Sequence, residues 1–219
     1  MHKYLWTLAI FCTSLFGFVS CSETEDTDTE YADWQSRNEM FFHEQMKKAK
    51  DSIALAKRTY GNDWEAHCNW RTYLSYSLED TVVNKVTDSI CVQIVRRGTG
   101  QGYPFISDSV RVNYRGLLMP TMKYPKGYVF DHSGPYSDFD RVFDRQIAVP
   151  STFKASACVR GFATALLYMR PGDFWRVYIP HPLGYGMLDN NKVPAYSTLI
   201  FEIDLYDFYR AGTKPPVWS

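Results

Sequence analysis

The sequence predicts an α+β protein: a curved antiparallel β-sheet wrapped on one short α-helix, with an N-terminal α-helical extension. Three observations predict it. Several stretches after about Val86 alternate apolar and polar residues with period two, as half-buried strands do. One short stretch between them, with Phe162, Leu166 and Met169 on one face, has helical period and ends at Pro171-Gly172. An earlier stretch, from about Tyr31 to Tyr60, has helical period throughout. A twisted sheet with one amphipathic helix buries a face only by curling over that helix.

Residues 1–20 read as a signal peptide. Lys3 gives a positive start, and Tyr4 to Val19 is nearly all apolar yet short for a membrane span. The run ends at Phe18-Val19-Ser20-Cys21, which resembles a bacterial lipoprotein box, with Phe18 where a Leu-like residue is usual. That resemblance implies cleavage before Cys21 and lipidation of Cys21. It implies a lipid anchor to the membrane and a place in the cell envelope, as an outer-membrane lipoprotein either periplasmic or surface-exposed. An ordinary secretory signal is the other reading of the same run. Residues 21–32 then form an acidic tether, too polar to bury anything and so expected to be disordered. A Cys followed by acidic residues is similar to the export tether of Bacteroidetes surface lipoproteins.

Residues 33–85 are the helical extension. Phe42, Met46, Ala49, Ile53, Ala56 and Tyr60 recur at alternating four- and three-residue spacing, and Gly61-Asn62 reads as the stop. The stripe serves either a helix docked on its own domain or a dimerising arm that gives a homodimer. Two alanines and a short seam favour docking. Residues 62–85 are irregular by pattern, although Trp64, Trp70, Tyr73, Leu74 and Tyr76 mark a segment packed on something.

Residues 86–210 hold the strands. Ile90, Val92 and Ile94 alternate; Val110, Val112 and Tyr114 share one face, with Arg111, Asn113 and Arg115 on the other. Trp175, Val177 and Ile179 repeat the pattern, as do Leu199, Phe201, Ile203 and Leu205. Gly98-Thr99-Gly100-Gln101-Gly102 is a turn between antiparallel strands and not a dinucleotide loop, because no helical pattern follows it.

Composition narrows the function. Net charge is zero, so nothing suggests electrostatic capture of nucleic acid. Aromatic residues reach 16%, which suits a β-rich domain with an aromatic-lined cavity. Cys68, Cys91 and Cys158 remain once Cys12 is removed with the signal and Cys21 is used. A Cys68–Cys91 bridge is one reading and three small buried hydrophobes the preferred one. No metal-ligand spacing occurs: the histidines are scattered, and Asp138, Asp140 and Asp144 read as a solvated loop.

From the strand around Tyr114 onward the chain reads VNYRG, GYVFDHS, CVRGF, LLYMRPGDFWRVYIP, LGYG and VPAYSTLIFEIDL. That order resembles an FKBP-type peptidyl-prolyl cis-trans isomerase, over roughly Ser89 to Phe208. The resemblance implies an FKBP-like fold whose site is a shaped apolar pocket, without metal or cofactor. It implies that Tyr114 and Gly116 line the pocket, that Phe130 is a wall and that Asp131 reaches toward a substrate carbonyl. Val142-Phe143-Asp144 is a rival match for that pair, less good because Gly127 and Ser133 also fit the first. Val159 would offer its backbone N–H, Phe162 would stand in the floor position of the family's Trp, and Tyr185 would offer its hydroxyl. Val193 and Phe201 would complete the wall, with Cys158 and Phe153 beside the substrate. His132 could tune Asp131. Lys192 stands where an apolar residue is common, and 118–126 and 134–149 look longer than the family's loops. The implied partners are proline-containing segments of exported proteins, for which the chain would be a folding catalyst or chaperone. A non-catalytic protein-binding module in the same groove is the alternative, and a surface lipoprotein recognised through its helix and long loops is a third.

Overall fold

The computed structural model describes residues 29–78, 85–138, 140–147 and 149–218. The segment read as a signal peptide, Cys21 and the part of the expected tether before Thr29 lie outside the described residues. A 3₁₀ turn, Thr29–Tyr31, leads into α1, Trp34–Tyr60. The buried positions of α1 are Trp34, Asn38, Phe42, Met46, Ala49 and Ala56, a single stripe at three-, four- and seven-residue spacing. Gly61, at φ 55°, stops the helix, and its N–H donates to the Lys57 carbonyl. Tyr60, expected on the buried stripe, is 47% exposed and stacks at 3.9 Å on His67 of α2, Trp64–His67.

Among the described residues, seven strands make one antiparallel sheet. They are β1 (Trp70–Leu74), β2 (Ser89–Arg96), β3 (Ser109–Leu118), β4 (Val129–His132), β5 (Ser151–Lys154), β6 (Phe174–Ile179) and β7 (Leu199–Tyr209). Their order is β1-β2-β6-β7-β3-β4, with β5 also on β3. β1 comes from the stretch that looked irregular by pattern, so the sheet begins inside the segment read as a helical extension. Its alternation is hidden because Arg71 is buried, its guanidinium donating to the carbonyls of Cys68, Trp70 and Glu65.

The two faces of the sheet differ in what covers them. Alternate residues of a strand face opposite sides. One set, Ile90 and Val92, Val110 and Val112, Val177 and Ile179, and Leu199 through Leu205 at every second position, forms the main core with Phe162, Ala165 and Leu166 of α3, Arg160–Tyr168. We call this the inner face. α3 lies close to β6 because residue 161 is glycine: a Cβ there would sit 2.3 Å from Ile179 Cγ2. The intervening residues Cys91, Leu117, Tyr178 and Ile200 form a second cluster with Phe42, Met46 and Ala49 of α1. α1 is therefore docked on the outer face of its own sheet.

The rest of the outer face is ionic. Glu202, 3% exposed, accepts from both Arg115 and Arg176. Asp204, fully buried, accepts from Arg96 and Arg145. The connection after β4 covers this half: Tyr136 is fully buried, Phe143 packs edge-on against Phe174, and the Arg145 guanidinium lies 4.1 Å from the Tyr206 ring centroid.

Candidate active site

The site grows from a gap beside β3. β5 pairs with Ser109–Val112 and β4 with Arg115–Leu117, so Tyr114 lies between the two short strands. Ser133 closes the backbone there: its N–H donates to the Tyr114 carbonyl and its Oγ accepts from the Tyr114 N–H, each at 2.9 Å. The Tyr114 side chain points into the core face, and Asp131 and Phe153 stand on either side of the gap.

A cavity of about 300 Å³ opens at this gap, lined by Tyr114, Asp131, Phe153, Ala157, Cys158, Val159, Phe162, Tyr185 and Phe201. Its depth is built from rings at near-right angles. Phe162 meets Phe201 edge-on at 4.9 Å, and Tyr114 meets Phe162 at 6.0 Å and Phe153 at 6.1 Å. Behind them Phe130 meets Phe201 at 5.5 Å and Tyr185 at 6.4 Å. Gly116 lets these rings lie on the strand, since a Cβ there would fall 2.6 Å from Phe130 and 2.8 Å from Phe201. Phe130 and Val193 line an adjoining cavity of about 210 Å³ that shares Asp131 and Tyr185 with the first. Both are buried, so they back the wall.

The polar groups stand at the mouth. Asp131 is held from two sides: Tyr114 Oη donates to Oδ2 at 3.1 Å, and the His132 backbone N–H donates to Oδ1 at 2.9 Å. The His132 ring pairs with the Gly134 carbonyl at 3.1 Å. Val159 is the N-cap of α3, so its N–H precedes the helical ladder, at a helix end whose amides lack intrahelical partners. Burial first, and then the Asp131 carboxylate, push the Tyr114 and Tyr185 hydroxyls above the ordinary tyrosine range. Burial pushes the Cys158 thiol up to about 12. At neutral pH the lining therefore offers phenol and thiol hydrogens as donors and no thiolate.

The pocket residues expected from sequence are thus brought together: Tyr114, Asp131, Phe153, Cys158, Val159, Phe162, Tyr185 and Phe201 around the main cavity, with Phe130 and Val193 behind its wall. The rival Phe143-Asp144 is on the other side of the sheet, with Phe143 4.5 Å from Tyr136. Ala157 was missed: it carries no chemical signal and reaches the cavity through the 3₁₀ turn Ala155–Ala157. Cys68, Cys91 and Cys158 are free thiols, the first two buried in the outer cluster. Cys21 lies outside the described residues.

Comparison with known proteins bears on the same segment. Residues 101–206 match the family described as FKBP-type peptidyl-prolyl cis-trans isomerase. The "Macrophage infectivity potentiator" of Trypanosoma cruzi is 33% identical over 129 residues, 58% of this chain and 57% of that protein. The "Peptidyl-prolyl cis-trans isomerase Mip" of Coxiella burnetii is 30% identical over 136 residues, 62% of this chain and 51% of that protein. The "Outer membrane protein MIP" of Legionella longbeachae is 32% identical over 121 residues, 55% of this chain and 44% of that protein. The chain spans about half the length of the curated relatives it matches. Over residues 101–206 the chain is similar to the FKBP-type peptidyl-prolyl cis-trans isomerase family.

Proposed function

We propose that the protein catalyses cis–trans isomerisation of X–Pro bonds in exported proteins, as a folding catalyst held at the cell envelope. The observation that carries this reading is the cavity of orthogonal aromatic rings with hydrogen-bond donors only at its mouth. Rotation about an X–Pro bond must break amide resonance, against a barrier of ~18–20 kcal/mol. The planar amide is strongly polar; the twisted one, with a pyramidal nitrogen, is less so. An apolar enclosure favours the twisted form over the planar one and so lowers the barrier. Phe162, Phe201, Phe153 and the Tyr114 ring take the proline ring, with Phe130 and Val193 behind the wall. The Val159 N–H and the Tyr185 hydroxyl hold the flanking carbonyls. Asp131, fixed by Tyr114 and His132, acts through its field on the rotating carbonyl and transfers no proton. Each tenfold acceleration requires only ~1.4 kcal/mol of preference for the twisted form.

The test is acceleration of X–Pro isomerisation in a proline peptide, followed spectroscopically. Binding of proline peptides without acceleration would instead favour a non-catalytic binding module in the same groove. Placement at the envelope is supported by the apolar run ending at Cys21 and by the printed name of the Legionella relative. Lipid attachment is proposed at Cys21: Cys21→Ser should abolish metabolic lipid labelling, and labelling that persists removes the anchor from this reading.

A further inference from the structure

Tyr185 and Val193 are pocket residues held by neither a sheet ladder nor the helix α3. Both lie on the connection 180–198 between β6 and β7. Most of its internal bonds are local, and the Ala195 N–H donates to Asp189 Oδ1 at 2.7 Å. The Gly186 N–H donates to the His181 carbonyl at 2.9 Å, and Val193 exchanges a short bridge with Asn190. One bond ties the two arms together beside Tyr185: the Tyr196 N–H donates to the Gly186 carbonyl at 2.9 Å. Tyr196 has φ 62°, a left-handed conformation that a non-glycine residue keeps only where its surroundings fix it.

The Tyr196 ring meets His181 edge-on at 5.2 Å, and the rest of what fixes this residue comes from the start of α1. Trp34 Nε1 donates to Ser197 Oγ at 2.8 Å, and that hydroxyl donates to the Pro194 carbonyl at 2.6 Å, one residue from Val193. The Thr198 N–H donates to Asn38 Oδ1 at 2.8 Å, and Thr198 Oγ1 donates to the Asn38 carbonyl at 3.1 Å. Asn38 is wholly buried and its Nδ2 donates to the Trp34 carbonyl, so its amide cannot rotate freely. These contacts bridge residues 160 and 163 positions apart in the chain, and they end on the two residues that follow Tyr196. An asparagine and an indole N–H on the otherwise apolar buried stripe of a helix are costly unless paired, and here each is paired to this connection.

We infer that Trp34 and Asn38 are positioning residues for the pocket: by clamping Ser197 and Thr198 they hold Tyr196 against Gly186, and so set the place of the Tyr185 hydroxyl and of Val193. Its consequence for turnover rests on the isomerase reading; the clamp itself does not. The helix that precedes the matched family segment is on this account part of the site's support.

The experiment compares Trp34→Phe, which keeps an aromatic ring and removes one N–H, with Met46→Ala, which removes packing on the same helix away from the connection. Amide hydrogen exchange and kcat/KM on a proline peptide are measured for both, with thermal stability as the reference. Loss of one hydrogen bond should raise exchange at the Gly186 and Tyr196 amides about threefold to tenfold in Trp34→Phe. The amides of β3 should be unchanged, and kcat/KM should fall by a similar factor. Met46→Ala should lose at least as much stability while leaving those two amides and kcat/KM at wild-type values. If Trp34→Phe does not fold, Ser197→Ala cuts the same bond from the other side. Equal exchange at Gly186 and Tyr196 in wild type and Trp34→Phe would overturn the inference. So would losses in both variants that merely track stability. If the wild type does not accelerate isomerisation at all, the isomerase reading fails and the exchange comparison still decides this one.

Discussion

The two faces of one sheet are made from alternate residues of the same strands, yet they solve different problems. The inner face needs apolar enclosure, and its positions on β3, β6 and β7 are apolar almost without break. The outer face carries Leu117, Tyr178 and Ile200 at one end and Arg115, Glu202 and Asp204 at the other. It is closed by two separate covers, α1 over the apolar end and the connection after β4 over the ionic end. The inner face is the part that makes a pocket. The outer face is the part that makes the pocket's scaffold depend on segments outside the strands.

The largest test of that dependence is removal of α1. The strand periodicity from Val86 onward suggests by itself that a deletion of residues 22–60 leaves the strand domain folded. The structure argues otherwise: Trp34, Phe42 and Met46 are buried on the sheet, at about 1.5–3 kcal/mol each. Their sum is comparable with a total domain stability of about 5–15 kcal/mol. The truncated protein should lose its cooperative thermal transition and expose Tyr178 and Ile200. A sharp melt near the wild-type temperature would show that the outer face needs no cover.

A smaller loss is expected at the ionic end. Arg115→Ala removes one of the two cations on Glu202 and leaves a buried carboxylate with Arg176 alone. Breaking a buried pair from one side costs about 3–5 kcal/mol. It also removes the donor to the Asp138 and Arg141 carbonyls, so the covering connection should loosen. Denaturant unfolding measures the cost. An Arg115→Ala protein within 1 kcal/mol of wild type, roughly the value of an exposed pair, would mean that this end is effectively solvated.

The same contrast explains what could be read from the sequence. Val110, Val112 and Tyr114, or Trp175, Val177 and Ile179, announce a strand and its buried side together, because period two and apolarity coincide. The short helix around Phe162 and the pocket residues are legible for the same reason, helped by the order of motifs. Arg71 breaks that coincidence, since its charge is satisfied by backbone carbonyls, and β1 is hidden with it. Arg115 and Glu202 break it too: charged alternate residues mark the face opposite the core, and nothing local shows that a loop elsewhere in the chain will bury them. Trp34 and Asn38 continue the stripe of α1 backward from Phe42 at the same spacing. An asparagine there looks like its end, and only the partner across the chain, Thr198, shows that it is not.

Within the pocket the expected effects are smaller and kinetic. Tyr185→Phe removes one donor and keeps the ring, and Asp131→Asn keeps the shape and removes the charge. If each group contributes one hydrogen bond or its electrostatic equivalent, kcat/KM should fall about threefold to tenfold in each, at nearly unchanged stability. Phe130→Ala should cost more in both quantities, because it opens the wall behind Phe201. A hundredfold loss in Asp131→Asn, with a new pH dependence, would make Asp131 a proton-transfer group and overturn the electrostatic account.

The last and smallest effect separates activity from stability by pH. The phenols of Tyr114 and Tyr185 and the thiol of Cys158 are all raised by burial, so none of these lining groups loses its proton as the pH climbs from roughly 7 to 9. kcat/KM should be flat across that window. Stability should not stay flat much beyond it. A group whose folded pKa lies above its unfolded value contributes stability that is complete below the unfolded value and is lost as pH rises through the folded one. The thiols of Cys91 and Cys158 move from 9.0 when unfolded to about 12 in the fold, so the decline begins near pH 9 and continues toward 12. One of those thiols lies under α1 and the other in the pocket, so each face contributes to it. Cys91→Ala and Cys158→Ala should each remove part of the alkaline loss of Tm while leaving the kcat/KM plateau in place. A plateau that breaks near pH 8 in the wild type and is restored by Cys158→Ala would show instead that the pocket thiol ionises and that its enclosure is looser than its burial implies.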